Sequence, residues 1–208
     1  PGDIVVSVRN GSVDFGISGI DVIEEYRGCN GQIIVLHDEL GYGQCQLALA
    51  VPEGWEGITD MASLRGYCSK LGHPLRIATK YPTLTGRFLD AYGIAYQMIT
   101  AEGTLETAPS IGYADMISDL VSSGQTLKDN RLRPLEDGLI LKSQAALFAN
   151  RSVLAKNPHA LQMARQLLEY FEAHLRAKDN LSVVANIRGT SGDAIAQRLF
   201  SETSAGGL

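Results

Sequence analysis

Short apolar runs closed by glycine, proline or serine alternate along this chain with stretches whose apolar residues recur every three to four positions. That alternation constrains the fold more than any other feature. A chain that keeps switching between the two periods builds α/β layers, because parallel strands need the long crossover that a helix supplies. Strands are expected at 14–19, 33–36, 45–51, 75–79, 96–100, 116–121, 139–141 and 145–149, with Pro52 closing the third. Helices are expected at 21–26, 83–92 and 159–177, the last with Leu161, Ala164, Leu167, Leu168, Phe171 and Leu175 on one stripe. Residues 108–113 read as a loop or a short helix. Residues 55–72 follow Gly54, contain Gly57 and Gly66, and show no clear period. They read as a crossing between two lobes, which implies a cleft, a common place for a ligand. After Lys178-Asp179-Asn180 a new unit is expected, with a strand at 183–187 and a helix at 191–200. One strand and one helix cannot bury a core of their own. They either dock on the main body or open another domain.

Composition narrows the function classes. The 208 residues are 45% hydrophobic and 20% charged, with a mean hydropathy of -0.01, ordinary for a chain with a real core. The net charge of -5 lacks the basic field of nucleic-acid binders, so no nucleic-acid partner is expected. A small polyanion remains compatible, since backbone N–H groups bind phosphate without net positive charge. Cys29, Cys45 and Cys68 are odd in number and form no CxxC, so neither a disulfide framework nor a zinc site is expected. No apolar run reaches the ~20 residues of a membrane span, and no membrane partner is expected. No signal peptide is visible in a sequence that starts at Pro1 rather than Met.

The sharpest chemical signal is Asp119-Leu120-Val121-Ser122-Ser123-Gly124-Gln125-Thr126-Leu127. Apolar residues lead into a Ser/Gly/Thr turn, and a helix can follow at Leu127. Such a turn aims several N–H groups and hydroxyls at one point, which suits a phosphate. Gly124 allows close backbone approach. The Asp119 carboxylate lies where it reaches ribose hydroxyls or a hydrated magnesium. A plain N-cap explains the same residues without any ligand, since Ser and Thr favour helix starts. The stretch 14–21, from Asp14 through Gly19 to Asp21, is a strand, a glycine turn and an acidic helix start, and Asp21 also reads as a helix cap. It is not a GxGxxG. Glu106, with Asp115 downstream, and Lys80 at a strand end are further candidates for ribose hydroxyls and phosphate; both also read as solvated surface. The four histidines have no metal-ligand spacing, and neither GxSxG nor HExxH occurs, so hydrolase and zinc chemistry lack support and no metal-ligating residue is assigned.

Taken in order, DFGISGID (14–21), CQLALAVP (45–52), RIATKYP (76–82), GTLETAP (103–109), GYADMISDLVSSGQTLKDNRL (112–132) and SQAALFAN (143–150) resemble the ATP phosphoribosyltransferase family, the first enzyme of histidine biosynthesis. The resemblance implies two α/β lobes like a type II periplasmic binding protein, with the active site in the cleft. Longer members add a C-terminal ferredoxin-like α+β domain that binds histidine as an inhibitor, and residues 182–200 are similar to its first strand and helix. The family usually begins with a strand and a Lys-Gly-Arg turn, which do not precede Pro1. The chain is therefore expected to be a fragment, with the truncated start of the regulatory domain. The implied organisation is a first lobe at 1–54 and 129–178, a second at 55–128, and the regulatory start at 179–208.

By the same resemblance, N1 of the adenine of ATP attacks C1 of phosphoribosyl pyrophosphate and expels pyrophosphate, with magnesium (Mg2+) on the pyrophosphate. Ser122, Ser123, Gly124, Gln125 and Thr126 are then expected to hold the 5-phosphate, and Asp119 and Glu106 the ribose hydroxyls as catalytic groups. Asp14, Gly19, Asp21 and Lys80 are expected on the ATP side. A homo-oligomer, dimer or hexamer, is implied, in the cytoplasm or, for a plant or alga, a plastid. The competing reading is a two-lobed small-molecule binding or sensing protein without catalysis.

Overall fold

A computed structural model of the chain describes residues 2–100, 104–178, 186, 188 and 190–202. Its two compact units are residues 1–172 and 173–208. The first unit holds two sheets, hence two lobes. The smaller sheet has the order β1-β8-β2, from β1 (Phe15–Gly19), β8 (Ala145–Asn150) and β2 (Ile33–His37), all antiparallel pairs. Helices α1 (Gly2–Arg9) and α2 (Ile20–Tyr26) cover it, burying Val5, Val8 and Ile23 against Ile33, Ala146 and Phe148. Gly16 is required there, because a Cβ would collide with the Phe148 ring.

The larger sheet has the order β5-β4-β6-β3-β7, from β3 (Cys45–Pro52), β4 (Leu75–Thr79), β5 (Tyr96–Thr100), β6 (Met116–Val121) and β7 (Leu132–Ser143). The strands β5, β4 and β6 are parallel, and β3 is antiparallel to both β6 and β7. Its core, with Leu49, Met61, Leu64, Leu75, Ile77, Leu89 and Met116 fully buried, is closed by α3 (Met61–Cys68) and α4 (Pro82–Ala91). Each such side chain gains about 1.5–3 kcal/mol from burial.

Two sequence expectations are corrected here. Residues 55–72 do not cross between lobes: Asp60 and Ser63 form a capping box at the start of α3, and Met61 and Leu64 pack into the larger lobe. The true crossings are residues 38–44, between β2 and β3, and Gln144, between β7 and β8. Strand pairing puts β3 and β7 in the second lobe, so the lobe boundaries expected at 54 and 129 move to these crossings. Periodicity identified β3 as a strand and had no information on which sheet it joins.

After β8 come α6 (Arg151–Lys156) and α7 (Pro158–Lys178), with α5 (Gln125–Asp129) earlier in the chain between β6 and β7. Leu167, Leu168 and Phe171 of α7 pack near Leu40 and Leu147, as the stripe predicts, whereas Leu161 is exposed. In the second unit, α8 (Gly192–Glu202) starts at Ser191, whose hydroxyl accepts the Ala194 N–H at 3.2 Å. The strand expected at 183–187 lies, except for Asn186, outside the described residues.

Asp115 fixes the amino-terminal ends of β4 and β6. Its carboxylate accepts the Arg76 backbone N–H at 2.8 Å and the Arg76 Nη2 at 2.7 Å. Burial alone would push its proton affinity up, but the Arg76 hydrogen bonds and charge outweigh this and hold the carboxyl below the usual range. A depressed carboxylate contributes stability above its unfolded pKa, and that contribution is lost as pH falls through the folded value. Asp115→Asn is therefore expected to cost about 1–3 kcal/mol at pH 7. In urea unfolding, the gap from wild type should shrink towards about pH 2. A gap that persists there would show that the charge is irrelevant.

Candidate active site

The carboxyl ends of β5, β4 and β6 lie side by side, with Thr79 in register with both Thr100 and Ser118. In an open α/β sheet this edge is where ligands sit, because the following loops and helix starts turn their N–H groups towards the opening. Lys80 and Tyr81 lead from β4 into α4, residues 122–124 lead from β6 into α5, and the 3-10 turn Leu105–Thr107 follows β5.

Asp119 follows Ser118 near the carboxyl end of β6. Its Oδ1 accepts the Leu120 N–H at 2.8 Å. Burial pushes the carboxyl above the usual range; the Leu120 N–H opposes this, the Glu106 charge adds to it, and Lys80 opposes it more weakly. Glu106 and Lys80 are therefore each within electrostatic reach of Asp119. A second carboxylate near Asp119, offset only weakly by Lys80, leaves local negative charge that hydroxyl donors or a cation would relieve.

The turn expected after β6 is present but shorter: the helix expected from Leu127 begins at Gln125 and takes in Thr126. Gly124 is left-handed at φ 73° and serves as N-cap of α5, where, as a glycine, it offers no capping side chain. Ser123 Oγ accepts the Gln125 N–H only at 3.4 Å. Ser122, Ser123, Gln125 and Thr126 are exposed. The Gln125 side chain is turned along the helix, donating to Asp129 Oδ1 at 2.7 Å. Ser122 and Val121 line a cavity of about 490 Å³ between the lobes, shared with Ile20 from the first lobe, Asp38 and Glu39 from the crossing, and Gln46 and Lys142 from the second lobe. Gln46 is in register with both Val121 and Lys142, so these three form one row across β6, β3 and β7.

The remaining expected residues separate. Asp21 is 3% exposed, and its carboxylate already has partners inside the protein: Ser143 Oγ donates to Oδ1 and Tyr81 Oη to Oδ2, the latter at 2.6 Å. The Asp21 carboxylate folds back over Gly19, where a Cβ would strike it. Both residues thus serve the lobe junction, and each Asp21 oxygen is already engaged by a hydroxyl of the protein. Asp14 is at the far end of β1 from Gly19, beside Asn150, and lines a different cavity with Arg9 and Lys156. Its position does not support a place on the ATP side.

The sequence reading missed Tyr81, Ser143, Lys142 and Glu25. Burial and the Asp21 carboxylate push the Tyr81 hydroxyl far above the ordinary phenol range, which keeps it a donor. Cys45, at the cleft, is also pushed up by burial and by Asp21, so it stays a thiol and is a poor nucleophile. The only signal for Tyr81 was its place before Pro82, at a helix start. Nothing local marked the others, because each acquires its role through a partner distant in sequence.

The profile of the family described as HisG, ATP phosphoribosyltransferase, matches residues 1–173. The chain is 40% identical over 214 residues to "ATP phosphoribosyltransferase 2, chloroplastic" of Arabidopsis thaliana, covering all of this chain and 51% of that protein. It thus spans about half the length of the curated relatives it matches most fully. Among solved structures, the ATP phosphoribosyl transferase (HisG:HisZ) complex from Thermotoga maritima superposes with a TM-score of 0.65 at 25% identity, over 84% of this chain and 77% of that one. The GluR0 ligand-binding core in complex with L-glutamate gives 0.53 at 12% identity, over 84% and 73%, a likeness of fold alone that matches the expected two-lobed, periplasmic-binding-protein-like architecture. Profile, full-length identity and architecture agree, and the chain belongs to the ATP phosphoribosyltransferase family.

Proposed function

We propose that the chain carries the phosphoribosyl-binding cleft of an enzyme that transfers phosphoribosyl from phosphoribosyl pyrophosphate to N1 of ATP. The observation that carries this reading is the left-handed turn at Gly124 into α5, held only by a long 3.4 Å bond from the Gln125 N–H to Ser123 Oγ, which follows Asp119 at the carboxyl end of β6. The amides and hydroxyls of residues 122–126 receive the 5-phosphate. Asp119, and Glu106 beside it, accept hydrogen bonds from the ribose hydroxyls. Lys80 faces a phosphate. A bond forms between adenine N1 and ribose C1 while the bond from C1 to the pyrophosphate oxygen breaks. The chain contributes by holding both reactants in line and by placing charge against the developing oxocarbenium and pyrophosphate.

Magnesium fits this site as a companion of the substrate. No cluster of three or more His, Cys, Asp or Glu suited to a metal occurs among the described residues, whereas the Asp119 and Glu106 pair suits an ion that keeps its waters. It would neutralise the leaving pyrophosphate, with those two carboxylates in its outer sphere. The plant relative that covers the whole chain is named chloroplastic, which supports a plastid over the cytoplasm. No described helix is long and apolar enough to cross a membrane. Assembly into an oligomer and inhibition by histidine belong to the same reading; the Thermotoga HisG:HisZ complex supports assembly with partner chains.

The test is pyrophosphate release by the full-length protein on mixing ATP, phosphoribosyl pyrophosphate and magnesium, alongside thermal shifts with each substrate and with free amino acids. Release that requires both substrates is expected, with stabilisation by phosphoribosyl pyrophosphate. Stabilisation by an amino acid alone, without release, would favour a non-catalytic sensor.

A further inference from the structure

Glu25 lies one helical turn beyond Asp21 on α2, so both carboxylates project from the same side of that helix. Both are buried, at 8% and 3% exposure. A buried carboxylate persists only where donors surround it. For Glu25 those donors come from the other lobe: Oε1 accepts the Thr83 N–H at 2.8 Å and Oε2 the Leu84 N–H at 2.9 Å. Thr83 and Leu84 are the second and third residues of α4, whose N-cap Tyr81 makes no side-chain capping bond. Every helix start leaves orphan N–H groups and a partial positive charge, which a carboxylate satisfies together. The cap that α4 lacks in its own sequence is thus supplied by the first lobe.

What α4 carries is the candidate site. Lys80 immediately precedes Tyr81 at its start. One turn in, Thr85 Oγ1 and Ser118 Oγ are 2.8 Å apart in the core, and Ser118 precedes Asp119. A rotation of α4 would displace Lys80 and the backbone beneath Asp119 together. We infer that Glu25 is a positioning residue of this site: by capping α4 across the lobe junction it sets Lys80 against Asp119 and Glu106, and does so only while the lobes are together. The Tyr81 to Asp21 bond is the second tie of the same junction. The inference rests on the proposed function for the identity of the substrate, but not for the cap.

The experiment compares Glu25→Ala, Glu25→Gln and, as a core control, Leu64→Ala in the full-length protein. Amide hydrogen exchange at Thr83 and Leu84 reads the cap without any substrate. Steady-state kinetics read its consequence. Glu25→Ala is expected to speed exchange at both amides about tenfold or more and to raise KM for phosphoribosyl pyrophosphate about tenfold, with KM for ATP changed less than about twofold. Glu25→Gln keeps one carbonyl acceptor and should recover part of both effects. Leu64→Ala loses Tm but leaves both KM values unchanged. Unaltered exchange in Glu25→Ala overturns the inference. So does faster exchange with an unchanged KM for phosphoribosyl pyrophosphate, or an equal rise in KM for Leu64→Ala. A wild type that releases no pyrophosphate defeats the functional reading separately. In that case exchange across 80–84 decides the positioning: loosening in Glu25→Ala with partial recovery in Glu25→Gln supports it, and its absence overturns it.

Discussion

Asp119→Asn in the full-length protein is expected to weaken phosphoribosyl pyrophosphate binding about 10- to 100-fold while leaving Tm unchanged or raised. A hydrogen bond to a charged acceptor contributes about 1.5–3 kcal/mol, and each 1.4 kcal/mol is about tenfold in affinity. The stability sign is opposite to that of a structural carboxylate. Burial and Glu106 hold the Asp119 carboxyl above its usual range, so the folded state takes up its proton more readily than the unfolded chain does. Keeping it ionised therefore costs stability at pH values above the folded pKa, and the cost disappears as pH falls below it. A neutral isostere removes that cost. Calorimetric titration at pH 7 and thermal unfolding at pH 7 and pH 4 check both parts, the Tm difference from wild type narrowing at the lower pH. Full affinity for phosphoribosyl pyrophosphate in the variant would refute the role assigned to Asp119.

The second large effect is expected from the double substitution Gly124→Ala and Thr126→Val. At Gly124 the difficulty is the backbone and not space: an added Cβ would meet Val121 Cγ1 at an ordinary 3.9 Å, but the residue sits at φ 73°. Alanine there costs about 1–2 kcal/mol and relaxes by turning the peptide, which carries the amides of the α5 start away from the opening. Valine at 126 keeps the shape of threonine and removes the hydroxyl. Affinity for phosphoribosyl pyrophosphate should fall about 100-fold, while ATP binding changes less than about threefold. Both are read by equilibrium titration, with a circular dichroism melt to confirm folding. An unchanged affinity for phosphoribosyl pyrophosphate would remove the loop from the site.

These two predictions rest on residues that the sequence already marked, and the reason is local. A strand feeding a Ser-Ser-Gly-Gln-Thr turn has few backbone solutions, and the left-handed Gly124 is the one its composition demands. The strands at 45–51, 75–79 and 116–121 were legible for the same reason, each being short, apolar and closed by a breaker. Sheet membership was not legible. β3 was assigned to the wrong lobe because an apolar strand says nothing about its neighbours, and its pairing with β6 and β7 closes contacts between residues as far apart in the chain as Cys45 and Ser143. Asp21 and Glu25 show the same limit in the site. Their sequence marks an acidic helix start, and a buried carboxylate looks identical to a solvated one until the other lobe supplies Tyr81, Thr83 and Leu84.

The return path between the lobes is a single residue. Gln144 alone separates β7 from β8, and its carbonyl accepts the Ile20 N–H at 3.0 Å, which fastens it to the start of α2. A link that short has no slack. It permits bending about one peptide and forbids sliding, so whatever travel the cleft has is a pivot close to Gln144, small beside Ser143 and greatest at the remote rim. Lengthening the link with inserted glycines would uncouple the halves far more than the same insertion in the other connection, residues 38–44, where there is already chain to spare.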